Sequence, residues 1–160
     1  MKLDLIALAV AAAGSAAALA GCSWLLATYA PGLTTAALFI DADIIARMMM
    51  LLIMLLTFPI MVLGVVGLLV RSAAAPMAMV LRLAGAACAL LGLFGAAYGW
   101  MNVQTAISRV GPVRFAVTAP SYAEVLLVSG WGLFIAAIAL AFAVGARLRA
   151  GPRLKAPVNS

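Results

Sequence analysis

Residues 121–142 read SYAEVLLVSGWGLFIAAIALAF, and their reading decides the fold. Beyond Glu124 the stretch carries no charge, so any helix it forms is apolar on every face. Extended by a few small residues to Gly145, it passes the roughly 20 residues needed to cross a hydrocarbon core about 30 Å thick. Glu124 then poses the functional question, because a charged side chain at the bilayer centre costs about 2.5–3.5 kcal/mol on insertion scales. Such a carboxylate sits at the interface, finds a partner, or carries a proton.

The rest of the chain repeats the pattern. Of 160 residues, 68% are hydrophobic and 9% charged, with a mean hydropathy of +1.26. Soluble domains carry about 25% charged residues, so this composition belongs to an integral membrane protein. Runs of membrane length occupy Leu3–Ala30, Ile44–Val70, Leu83–Met101 and about Ser121–Gly145. The expectation is an all-α protein with four transmembrane helices in a single domain over residues 1–160. Barrel strands are excluded, because they alternate apolar and polar residues and these runs do not. Helices are then what satisfies the backbone within lipid.

The net charge of +6 matters less than where the ten basic residues fall. With the N-terminus inside, Lys2, Arg71, Arg82, Arg147, Arg149, Arg153 and Lys155 share one side, and Arg47, Arg109 and Arg114 the other. That asymmetry fits the positive-inside rule with both termini cytoplasmic. The basic tail 146–160 is then expected to meet anionic lipid headgroups rather than nucleic acid.

Chemistry-bearing residues are sparse. There is no histidine, Cys22 and Cys88 lie within apolar runs without metal-ligand spacing, and none of the four acids is paired within a span. Neither a metal site, a cofactor nor a general acid–base pair is expected, so enzyme is the least favoured class. LAGC at Leu19–Cys22 has the form of a lipoprotein cleavage site. The apolar run, however, continues past the cysteine to Tyr29, and Asp4 is foreign to a positively charged leader. An uncleaved span anchored by Trp24 and Tyr29 explains the same residues.

In the third span Gly85, Gly92 and Gly99 recur every seven residues, with Gly95, Ala89 and Ala96 near the same stripe. Small-residue stripes allow close backbone approach between membrane helices, here within one chain or between subunits. Pro59 interrupts the second span at Thr57-Phe58-Pro59, where it removes a backbone bond and kinks a helix. The cluster Met48–Met50, with Met54 and Met61, reads as adaptable packing. Ser121 and Glu124 have the spacing of a capping box at a helix start, a structural role in which the carboxylate does no more than bond the cap N–H.

Residues 90–104, LLGLFGAAYGWMNVQ, and 119–138, APSYAEVLLVSGWGLFIAAI, together resemble the two core spans of the ExbB/TolQ/MotA proton-channel family. The most specific element is AEVLL followed by a small polar residue and GLF, and the likeness extends over a core of about 44–147. The resemblance implies a multi-pass subunit of the bacterial inner membrane that assembles in a ring, usually a pentamer. At its centre would stand a single-span, aspartate-bearing partner of the ExbD/TolR type. It further implies that Glu124 and Ser129 line a proton path. Ala96 falls where the family has a pathway threonine, and Arg71–Arg82 replaces a long cytoplasmic segment. An extra helix precedes the core. On a helix, five residues at 100° each direct Glu124 and Ser129 about 140° apart, so they do not share a stripe. The rival expectation is a non-conducting four-helix structural or assembly protein; a small transporter is disfavoured because no internal repeat is found.

Overall fold

The computed structural model describes residues 2–111 and 113–150. Among the described residues five helices follow one another: α1 (Lys2–Tyr29), α2 (Thr35–Asp41), α3 (Ile44–Leu69), α4 (Ala74–Val110) and α5 (Phe115–Ala150). Four of them are long and apolar enough to cross a membrane. Arg153 and Lys155 of the basic tail lie outside the described residues.

Helix α5 is the centre of the bundle. Half of its most apolar window is buried, against 22–28% for the other three long helices. Helix α4 packs along one flank of it and α1 along another, while α3 fills the groove between α4 and α5. The outward faces carry large apolar side chains such as Leu55, Phe58, Leu83 and Phe94. Exposed apolar surface on this scale is what a lipid-facing bundle presents, and a soluble monomer rarely shows it.

The third and fourth helices are longer than the apolar runs that announce them. The span expected at 83–101 lies within a helix of 37 residues, and the one at 121–145 within a helix of 36. The stretch 102–110 is more polar but contains no Gly or Pro, so nothing stops the helix until Gly111. That glycine takes φ +88°, a left-handed conformation that side-chain-bearing residues rarely adopt. Its N–H closes the last turn on the Ile107 carbonyl at 2.9 Å. Pro120 does not open α5, which begins five residues earlier; the proline falls in the second turn, where it forfeits a single backbone bond. The expected first loop, residues 31–43, contains the short α2, whose cap Thr34 accepts from the Ala37 N–H at 3.2 Å.

Two sets of side chains mark the ends of the apolar bundle. At one end Asp4 of α1 pairs with Arg82 of α4 and, at 3.2 Å, with Arg147 of α5. The first turn of α1 and the last turns of α5 therefore lie at the same end. At the other end Trp24, Tyr29, Phe115, Tyr122 and Trp100 form a chain of rings with successive centroids 5.9, 5.1, 5.8 and 5.3 Å apart. Tyr122 also accepts a hydrogen bond from Gln104 at 3.2 Å. At 1.5 Å per residue, Asp4 to Trp24 spans about 30 Å and Arg82 to Trp100 about 27 Å, matching a hydrocarbon core. Beyond the level of Trp100 and Tyr122, the α4–α5 hairpin continues outward by about 10–15 Å.

Candidate functional site

Glu124 is not a helix cap. With α5 starting at Phe115, both Ser121 and Glu124 stand within a continuous helix, and the capping-box reading fails because no free N–H remains there to cap. The carboxylate does meet a helix N-terminus, but that of α3. Asp43 is the N-cap of α3, its side chain accepting from the Ile45 N–H at 3.3 Å, and its own backbone N–H lies beside the Glu124 carboxylate. A helix N-terminus carries partial positive charge, which suits an anion there.

Glu124 is half-buried and faces a cleft of about 230 Å³ between α3, α4 and α5. Asp43, Tyr98, Asn102 and Ser121 supply its other polar groups. The Asp43 carboxylate and the Arg47 guanidinium both lie within electrostatic reach of Glu124. Arg47 is tied down: it donates to the Ile40 carbonyl and, at 3.0 Å, to the Ala42 carbonyl, closing the open end of α2. Its Nε is buried and has no acceptor among the described residues. The arrangement is an ionisable group with polar neighbours and an adjacent cation, set inside a largely apolar bundle. It can bind and release a proton, or hold a small polar species, near one end of the bundle.

The other residues singled out in the sequence fall elsewhere. Ser129 is buried, 9% exposed, and donates to the carbonyls of Val125 at 3.0 Å and Leu126 at 3.1 Å in its own helix. It does not line the Glu124 cleft, as the angular separation of the two positions requires. Ala96 is half-buried and also lies away from the cleft. The glycines form the α4–α5 contact within one chain. A Cβ on Gly92 would stand 2.9 Å from the Gly132 Cα, and one on Gly85 3.2 Å from the Ala139 Cβ. At Gly95 and Gly99 it would meet Val128 and Val125 at 2.6 and 2.8 Å.

Sequence reading missed Asp43, Arg47, Tyr98 and Asn102 as neighbours of Glu124. A signal for Asp43 was present, since aspartate directly before a long apolar run is an N-cap signature. Nothing local announces the others. Comparisons with protein-family models, curated proteins and solved structures find no match to this chain.

Proposed function

We propose that the chain is a proton-channel-like subunit of an energy-transducing complex in the bacterial inner (cytoplasmic) membrane, with both termini cytoplasmic. The single observation that carries this reading is the setting of Glu124. A half-buried carboxylate within a membrane helix, relieved of any duty as a cap of that helix and opening on a polar cleft, is a functional group by default. Its depth suits the outer mouth of a path, within one turn of α5 inside Tyr122 and Ser121. None of the chain's four acids lies near the middle of a span. A protonatable group at the midplane therefore has to come from another chain, which is the division of labour implied by a single-span ExbD/TolR-like partner inside a ring. Basic residues at the opposite end, Arg147 and Arg149 among them, favour anionic lipid headgroups on the cytoplasmic side.

Ser129 supports the reading less than Glu124 does, because its hydroxyl is already bonded to its own helix. The rival, a non-conducting membrane scaffold, is favoured by the consumption of the glycine stripe within one chain. Native mass spectrometry of the detergent-extracted complex, followed by proton-flux measurements in liposomes, separates the two. A ring retaining a small single-span companion, with flux that Glu124→Gln removes, supports the channel. A monomer without flux leaves the scaffold.

A further inference from the structure

We propose that the groove between α1 and α5 receives α3 of a neighbouring copy of this chain, making a head-to-tail contact in which the Ser15 hydroxyl bonds the Leu55 carbonyl. The groove has a volume of about 450 Å³ and is lined by five small residues of two helices, Ala12, Ser15 and Ala137 among them, and by four larger ones, including Phe134 and Ile138. A stripe of small side chains permits close approach but does not name an occupant. The polar groups do.

Ser15 is one of two buried polar side chains among the described residues, at 3% exposure, and it makes no hydrogen bond. Its counterpart Ser129 donates to its own helix, as do Ser23, Thr57, Thr105 and Thr118. An unmade hydrogen bond in apolar surroundings is costly, so the Ser15 hydroxyl calls for an acceptor that an acyl chain cannot supply. Helix α3 carries the complementary deficit. Pro59 has no N–H, so the Leu55 carbonyl lacks its usual donor four residues on. Leu55 is 71% exposed and Phe58 75%, on the face of α3 turned away from its own bundle.

The two deficits lie at one depth. Gly14 meets Leu133 and Gly21 meets Leu126, which sets Ser15 level with about residue 132 of α5. Gly64 meets Phe142 and Gly145 meets Leu68, which sets Leu55 level with about residue 133. The offset is no more than about 3 Å along the bundle. Copies inserted in one orientation keep every residue at its own depth, so a neighbour's Leu55 carbonyl arrives at the level of Ser15. The bulky outer face of α3 then packs over the small residues at the floor of the groove and against Phe134 and Ile138 beside them. Because donor and acceptor surfaces differ, the contact is heterologous and propagates past two copies, into a ring if the rotation per copy closes and an open row if it does not.

This inference concerns assembly only and does not rest on the channel reading. The test is oxidative cross-linking, in native membranes, of the full chain carrying Ala12→Cys with Leu55→Cys; the native Cys22 and Cys88 are buried. A ladder of dimer, trimer and higher species is expected. Val10→Cys with Leu55→Cys, placing one thiol on the opposite side of α1, is expected to give none. No cross-link from the first pair, an equal ladder from the second, or a dimer from Ala12→Cys alone would each overturn the proposal. Ser15→Ala keeps the groove open and lowers the association constant about three- to tenfold, the size of one interhelical hydrogen bond in a membrane. An unchanged constant also counts against it. Proton flux is read separately, so failure of the channel and failure of this interface are distinguishable.

Discussion

Glu124 is held by groups from α3, so its charge and its hydrogen-bonding capacity can be separated by substitution. Glutamine keeps a side-chain oxygen beside the α3 N-terminus but cannot ionise. On the proposed channel reading, Glu124→Gln is therefore expected to leave thermal stability and assembly unchanged while reducing proton flux to the background of empty liposomes; undiminished flux would remove the carboxylate from any such path. Ser129 supplies a contrasting case. Its hydroxyl bonds only carbonyls of its own helix, which are already helix acceptors. Ser129→Ala should then change stability by less than about 1 kcal/mol, as read by denaturation in detergent. The sequence made Glu124 conspicuous because acids are so few, but not its surroundings. Asp43 and Arg47 reach it only through the packing of α3 on α5, a relation that no local spacing encodes.

At the scale of elements, the α4–α5 contact is close enough that a methyl group matters. A Cβ on Gly132 would lie 2.6 Å from the Gly92 Cα and 2.7 Å from the Cys88 carbonyl oxygen, and backbone cannot move aside as a side-chain tip can. Gly132→Ala is expected to destabilise the bundle by about 1–3 kcal/mol, measured as a fall in the unfolding midpoint in detergent. Helix α2 depends on a different element. Arg47 from α3 closes its last carbonyls, so Arg47→Gln should raise amide exchange across 35–41 while leaving α4 and α5 protected. The existence of four long helices was legible because apolar length alone specifies a span. Their ends were not. Hydropathy marks where lipid gives way to water, whereas a helix stops where backbone chemistry stops it, as at Gly111. A seven-residue helix such as α2 is too short for any periodicity to emerge.

The whole bundle is organised about α5, with α1, α3 and α4 each packed against it. Asp4 reinforces that arrangement by joining the beginnings of α1 and α4 to the end of α5. Asp4→Asn should lower the thermal midpoint and make it less sensitive to salt than in the unsubstituted chain, since a partly exposed ion pair is screened. An equal salt response in the two would show that the link contributes nothing. Closure of three helices at one end leaves the other end to the aromatic chain and to the α4–α5 hairpin, whose turn at Gly111 stands clear of the apolar slab. That projection gives the molecule an address in water. A thiol placed at Val113 is open to a membrane-impermeant reagent from one side only, so its labelling in intact cells reports directly which way the protein faces.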